Sequence, residues 1–203
     1  MSLRVGVLAS GAGTNLQALL DTVHGEEGIE IVAVASNKPD ARALGRGREA
    51  GVAAEAFPLE AFADRDARDA AIAAWLESRG VQLVVLAGYM QLLTPGFIAA
   101  FAQRIINVHP ALLPAFPGIR SVERTIEHGV RVSGVTVHFV DDGVDTGPII
   151  LQRAVDLPQG IDADGVRALL QPVEHELLPE AVRLYARGTL TFDPANPRRV
   201  VIS

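Results

Sequence analysis

An asparagine and a histidine two residues apart, at the end of an apolar run, are the residues with the clearest chemical potential. The run is Ile105-Ile106, and it leads into Asn107 and His109. Side chains two apart on a strand project from the same face, so this amide and imidazole should lie side by side. In acyl transfer, an amide N–H stabilises an oxyanion while an imidazole moves a proton. Both residue types also end strands in purely structural roles, so the pair alone leaves both interpretations open.

A carboxylate that could orient such an imidazole occurs in the turn-rich segment Asp141–Pro148. Asp145 lies between Gly143 and Gly147 in this segment. A carboxylate beside an imidazole favours its charged form and raises its pKa. Asp, Gly and Pro are equally typical of any hairpin loop, and the segment lacks the closing Glu of an EF-hand calcium loop.

The first strand-to-helix turn could hold an anion. Gly11 and Gly13 allow the backbone to approach a ligand, and a helix that follows directs unpaired N–H groups at it. Leu16 replaces the third glycine of the dinucleotide fingerprint, and the Gly-Lys-Ser/Thr ending of a P-loop is absent. The turn therefore predicts either a phosphate site of another kind or a structural turn without a ligand.

Two polar residues on a late helical stretch form a further candidate site. Gln171 and Glu174 are three residues apart, which places the carboxamide and the carboxylate on one helix face. They could bind an amine or sugar hydroxyls. The alternative is an ordinary solvated face of the helix.

Composition excludes several other classes of site. The 203 residues include no cysteine, which excludes disulfides, thiolate metal ligands and a cysteine nucleophile. The five histidines show no zinc-binding spacing, so we expect no metal. A formal net charge of −6 argues against a protein that coats nucleic acid or an anionic membrane.

The elements that must position these residues are typical of an α/β protein. Short apolar runs alternate with helical patterns, which predicts a Rossmann-like, mainly parallel twisted sheet flanked by helices. Val135, Val137 and Phe139 then alternate with polar residues, and a second run follows after a short loop. These two runs predict antiparallel strands near the C-terminal part. We expect a single domain over residues 1–203, with a loosely packed, polar, proline-rich tail over 191–203.

Neither a membrane span nor an export signal is expected. The charge-free stretch 80–103 is interrupted by Pro95 and Gly96, and the apolar run after Arg4 is too short for the core of a signal peptide. We therefore expect a cytoplasmic protein.

Taken in order, these segments resemble the phosphoribosylglycinamide formyltransferases, a folate-dependent family of purine biosynthesis. The resemblance runs from Val5 to about Tyr185. Its most specific parts are the runs 9–19, 107–114 and 138–148. The Asn/His/Asp set is common to all enzymes that use 10-formyltetrahydrofolate, both transferases and hydrolases. Only the N-terminal loop and the late helix indicate glycinamide ribonucleotide (GAR) as the acceptor.

The resemblance implies that the amine of GAR attacks the formyl group of 10-formyltetrahydrofolate directly, without a metal or a covalent enzyme intermediate. Asn107 and His109 would stabilise the oxyanion, His109 would transfer the proton, and Asp145 would raise the pKa of His109. The implied partners are these two small-molecule substrates and no nucleic acid or membrane. A homodimer formed through an edge strand is an open alternative.

The resemblance also implies two sets of binding residues. The GAR set is Gly13, Thr14, Asn15, Gln171 and Glu174. The folate set is Arg65, Met90, Gln91, Leu92, Leu93, Asn107, Asp141, Asp142, Gly143, Val144 and Asp145. Gln91 stands where relatives often carry Arg, so a positive side chain is missing there beside the folate.

Four alternatives are weaker. A formyltetrahydrofolate hydrolase would bring a regulatory domain ahead of Val5, and a methionyl-tRNA formyltransferase would need an RNA-binding domain beyond Ser203. A formylase of a sugar nucleotide would not predict the Gly-Thr-Asn loop. A non-enzymatic nucleotide-binding module would use that loop but would not need Asn107, His109 and Asp145 to meet.

Overall fold

A computed structural model describes residues 2–26 and 28–203 of the chain. Its internal contacts divide the chain into two compact units, the first ending at Ile106 and the second beginning at Asn107. This division does not test whether the chain folds as one domain, so the single domain over 1–203 stays a prediction.

The first unit alternates strands and helices. In chain order its elements are β1 (Leu3–Leu8), α1 (Thr14–Thr22), β2 (Ile29–Ser36), α2 (Arg42–Glu49), β3 (Ala53–Ala56), a 3₁₀ turn (Leu59–Ala61), α3 (Arg65–Glu77), β4 (Leu83–Leu86) and α4 (Pro95–Ala100). Strand β1 pairs with β2 and β4, and β2 pairs with β3, all in parallel. The next strand, β5 (Ile105–His109), crosses the boundary between the units.

Burial and a side-chain cap account for the positions of β4 and α3. All four residues of β4 are buried, as expected for a parallel strand that is covered on both faces. Helix α3 begins after Asp64, whose side chain caps it by accepting a hydrogen bond from the backbone N–H of Ala67. Ile72 and Leu76 of α3 are fully buried, which fixes the helix against the core.

The second unit is built on antiparallel pairs. Its elements are α5 (Ser121–Glu127), β6 (Val132–Phe139), β7 (Ile149–Asp156), α6 (Ala163–Ala186), β8 (Leu190–Asp193) and β9 (Asn196–Ile202). Strands β6 and β7 pair antiparallel, as predicted from their alternation, and β9 pairs parallel with β7. Helix α6 continues through Pro172 and Pro179 and buries Leu170 and Val182 on its inner face.

The predicted fold class is confirmed. The described residues hold nine strands in a mixed sheet that is mostly parallel, with antiparallel strands towards the C-terminus and flanking helices. The tail, for which no strand was expected, contains most of an antiparallel hairpin of β8 and β9, and most residues of β9 are exposed. The ring centroid of Phe192 in this hairpin lies 5.0 Å from that of Phe139, which gives the tail an apolar contact. Among the described residues, every helix is too short or too polar to cross a membrane.

Candidate active site

Three side chains predicted to carry the chemistry meet in the second unit. Asn107 and His109 lie at the C-terminal end of β5, and Asp145 lies in the loop between β6 and β7. The Nδ2 atom of Asn107 donates to Asp145 Oδ1 at 3.3 Å, and the Nδ1 atom of His109 lies 3.2 Å from Asp145 Oδ2. Each oxygen of the carboxylate therefore holds one of the two side chains that β5 presents.

Both ring nitrogens of His109 face hydrogen-bond acceptors. Nδ1 faces Asp145, and Nε2 lies 2.9 Å from the backbone oxygen of Phe116. An imidazolium would satisfy both acceptors with its two N–H groups. His109 is only 5% exposed, and burial lowers its pKa below the ordinary value even though Asp145 and the Phe116 carbonyl raise it. The raising effect expected from Asp145 is present, but burial outweighs it. Burial therefore favours the neutral ring, whose single N–H faces Asp145 and whose Nε2 lone pair faces the Phe116 carbonyl.

Asp145 is held as a charged carboxylate. It adopts a left-handed backbone conformation with φ 53°, and its Oδ2 atom accepts the backbone N–H of Gly118 at 2.6 Å. Burial alone would raise the pKa of Asp145, but His138, His109 and the Gly118 N–H together lower it to about 2. The carboxylate is therefore ionised throughout the physiological range.

The sequence analysis did not assign His138 to the site. This buried residue of β6 places Nε2 3.1 Å from Asn107 Nδ2 and 3.5 Å from Asp145 Oδ1. Its Nδ1 atom lies 2.8 Å from the backbone oxygen of Phe139. The available signal was its place near the end of a half-buried strand, immediately before the loop that carries Asp145.

Replacing Asp145 by asparagine is expected to lower the pKa of His109 further. The substitution removes the negative charge that favours the imidazolium, while the burial that opposes it remains. The measurement is an NMR titration of the His109 ring protons in both proteins. An unchanged His109 titration would contradict this role of Asp145.

The glycine loop predicted to bind an anion leads directly into α1. Gly13 precedes Thr14, the first residue of the helix, and has φ 71°. The N-cap residue of α1 is Gly13, which has no side chain to cap the helix, and the first turn carries no acidic residue, so this end favours a negative ligand. Arg46, which the sequence analysis missed, donates to the Ala12 carbonyl at 2.9 Å and to Gln17 Oε1 at 2.6 Å.

Replacing Gly13 by alanine is expected to displace this loop and to weaken the binding of phosphorylated ligands. A Cβ atom on residue 13 would lie 2.8 Å from the Cα atom of Ala43, and a positive φ costs a non-glycine residue about 1–2 kcal/mol. Calorimetric titration with glycinamide ribonucleotide measures the loss. Gly45→Ala is the control, because Gly45 lies on α2 outside the glycine loop and a Cβ atom there meets nothing within 4 Å. Equal affinities for the wild type and both variants would contradict the requirement for glycine at position 13.

The predicted folate segment Met90–Leu93 lies between β4 and α4. The backbone N–H of Met90 donates to Ser10 Oγ at 2.8 Å, and Arg65 donates to the Leu92 carbonyl at 2.8 Å. Arg68 donates to Gln91 Oε1 at 3.2 Å. Position 91 lacks the positive side chain that relatives often carry, but the guanidinium of Arg68 lies next to it. The side chains of Met90 and Leu92 are 64% and 59% exposed.

The remaining predicted positions differ in exposure. Asp141 closes its own turn, since its Oδ1 atom accepts from the Gly143 N–H and from Thr146 Oγ1. Three residues of this loop are exposed, namely Asp142, Gly143 and Val144. On α6, Gln171 is exposed and Glu174 is half-buried. Within residues 2–26 and 28–203, no three His, Asp or Glu side chains group together in a way that could hold a metal ion.

Comparison with known proteins gives a consistent result. The family model described as formyl transferase matches residues 3–182. Phosphoribosylglycinamide formyltransferase of Mycobacterium tuberculosis is 41% identical over 93% of this chain and 87% of its own length. The trifunctional purine biosynthetic protein adenosine-3 of Drosophila melanogaster is 40% identical over 94% of this chain, which spans 14% of that longer protein.

The fold agrees with the sequence relatives. The crystal structure of glycinamide ribonucleotide transformylase 1 from Symbiobacterium toebii superposes with a TM-score of 0.95 and 48% identity, over 99% of this chain and 94% of that one. The family match covers most of the chain, and the identity to whole-length relatives exceeds a third. The chain therefore belongs to the formyl transferase family and, within it, to the phosphoribosylglycinamide formyltransferases.

Proposed function

We propose that this protein transfers the formyl group of 10-formyltetrahydrofolate to the amine of GAR, giving formyl-GAR and tetrahydrofolate in purine biosynthesis. The observation that carries the proposal is the cluster of Asn107, His109 and Asp145 in a chain of this family. An amide donor, a neutral imidazole and an ionised carboxylate are the groups that direct formyl transfer requires.

The geometry supports a separate role for each of the three side chains in this cluster. The GAR amine attacks the formyl carbon, and the carbonyl oxygen becomes an oxyanion that takes an N–H from Asn107 and, once Nε2 of His109 has accepted the amine proton, from the resulting imidazolium N–H. His109, neutral at rest, accepts the proton of the attacking amine, and a proton then passes to the departing folate nitrogen. Charged Asp145 holds Nδ1, so we assign Nε2, which faces only a backbone carbonyl, to the substrate.

The binding roles in this proposal are those that the resemblance to the family implies. The start of α1 would take the phosphate of GAR through Gly13, Thr14 and Asn15, and α6 would contact the rest of it through Gln171 and Glu174. The folate would bind at Arg65, at Met90–Leu93 and at the Asp141–Asp145 loop. The chemistry of this set requires no metal, because an uncharged formyl group needs only hydrogen-bond donors at its oxygen.

Two further expectations belong to this proposal. We place the reaction in the cytoplasm, where the folate and nucleotide substrates are expected. A homodimer stays a prediction, which sedimentation of the purified protein would test.

The test is a formyl-transfer assay that follows the release of tetrahydrofolate, with and without GAR and with EDTA present. Release that depends on GAR and is insensitive to EDTA is the expected result. Release without GAR would indicate a hydrolase and would remove the assignments on α6. An absence of release would move the acceptor to another amine.

A further inference from the structure

The segment Met90–Thr94, which connects β4 to α4, is held in place by one face of α3. Arg65, Arg68 and Asp69 are at positions i, i+3 and i+4 of that helix, so they share a face. Arg65 donates to the Leu92 carbonyl, Arg68 donates to Gln91, and Asp69 accepts the backbone N–H of Thr94 at 2.8 Å. We call Arg65, Arg68 and Asp69 the anchoring face of α3.

Two members of the anchoring face are charged and fully buried. Arg68 and Asp69 are both 0% exposed, and the Nε and Nη2 atoms of Arg68 donate to Asp69 Oδ1 at 3.0 and 2.8 Å. A buried ion pair costs desolvation and contributes little net stability compared with apolar residues of the same volume. Its remaining hydrogen bonds lead to the segment 90–94, through Nη1 of Arg68 and Oδ2 of Asp69.

This segment has few other means of keeping one conformation. Met90 and Leu92 project mainly into solvent, so they contribute little packing that could fix the backbone. The hydroxyl of neighbouring Tyr89 is buried without a hydrogen-bond partner among the described residues, and burial raises its pKa to about 12. Ser10 Oγ holds the Met90 N–H, and Gln91 Nε2 donates to the Met90 carbonyl at 2.9 Å. The anchoring face holds the rest of the segment, through the Leu92 carbonyl, the Thr94 N–H and the Gln91 side chain that carries the bond to Met90.

We propose that Arg68 and Asp69 are positioning residues for the reduced folate. They do not touch the ligand, because both are buried beneath the segment; they set the direction of the backbone N–H and C=O groups that would bind the pteridine edge. This proposal rests on the proposed function and deepens it, because it makes a buried ion pair of α3 a determinant of folate affinity and leaves the formyl chemistry to other residues.

The decisive variant is the double substitution R68M/D69N. It removes both charges together, so that no unpaired buried charge is left, and the new amide at position 69 keeps an oxygen for the Thr94 N–H. Calorimetric titration is expected to show an approximately tenfold higher Kd for tetrahydrofolate, the effect of losing one well-placed hydrogen-bonding group. The Kd for GAR and the value of kcat at saturating folate should stay within about threefold of the wild type, as expected for lost ground-state binding.

A second variant isolates the contact with the segment. Gln91→Leu breaks the link to Arg68 and leaves the ion pair intact. It should raise the Kd for tetrahydrofolate in the same direction, and the loss of an acceptor for the buried Arg68 Nη1 should lower the unfolding temperature modestly. Arg79→Met is the matched control, since Arg79 lies just beyond the C-terminal end of α3 and its side chain covers the Trp75 ring. That control should bind tetrahydrofolate like the wild type.

The outcomes separate this proposal from the proposed function. Unchanged tetrahydrofolate affinity in R68M/D69N, or an equal loss of affinity for tetrahydrofolate and GAR, would overturn the positioning role. A wild-type protein that binds tetrahydrofolate but does not transfer formyl to GAR would overturn the proposed function and leave the positioning role supported. A selective loss of folate affinity in both variants is the result that we expect.

Discussion

Replacing His109 by alanine is expected to lower kcat by at least about a hundredfold, the usual contribution of a general acid–base group. The ring is nearly inaccessible, with Nδ1 held by Asp145 and Nε2 by the Phe116 carbonyl. Burial lowers its pKa, so the neutral form that can accept a proton predominates at pH 7. Removing the ring leaves no other base at this position. The measurement is the steady-state rate of tetrahydrofolate release with both substrates saturating.

The control for His109→Ala is a histidine with a structural role. His24 accepts a hydrogen bond from the Ile31 backbone at 3.1 Å in the first unit. His24→Ala should lower the unfolding temperature and keep kcat, whereas His109→Ala should keep a cooperative unfolding transition and lose kcat. A His109→Ala protein that retains its rate would exclude the acid–base role.

The strand-end chemistry was predictable because it depends on local periodicity. Asn107 and His109 are two residues apart on a strand, and the pleat alone directs them to one face. The turn-rich sequence around Asp145 made it a candidate, but its backbone conformation and its contacts could not be predicted. Its left-handed φ of 53° and its bond to the Gly118 N–H are set by segments distant in the sequence. Periodicity thus predicted the pair on β5, and tertiary structure supplied the partner of both side chains.

Other residues could not be predicted, because sequence patterns treat charged side chains as solvated. Arg68 and Asp69 lie on a charged stretch of α3, and nothing in the helical pattern indicates that both are fully buried. Their burial depends on the segment 90–94, which covers them from a distant part of the chain. The tail was expected to lack regular structure because it is polar and rich in proline. It nevertheless contains the strand-forming run Val200-Val201-Ile202, which lies in β9.

Replacing Asn107 by leucine is expected to lower kcat by about a hundredfold to a thousandfold, the cost of removing one oxyanion donor. Nδ2 of Asn107 donates one N–H to Asp145 and lies beside His138 Nε2, so its amide is held in a fixed orientation before the substrate arrives. Leucine has a similar size and no donor, so the variant loses the bond to Asp145 and the contact with His138 Nε2 together with the bond to the oxyanion. Because the oxyanion exists only in the transition state, the KM for GAR should change little.

The matched control for Asn107→Leu is another amide of the second unit. Gln152 on β7 donates to the Leu113 carbonyl and to Thr136 Oγ1, both at 2.9 Å. Gln152→Leu removes two structural hydrogen bonds, so it should lower the free energy of unfolding and leave kcat within a few-fold of the wild type. If both variants lost kcat equally, the effect would arise from loss of structure around the site. A selective loss of kcat in Asn107→Leu, with the KM for GAR unchanged, supports a role of this amide in the transition state.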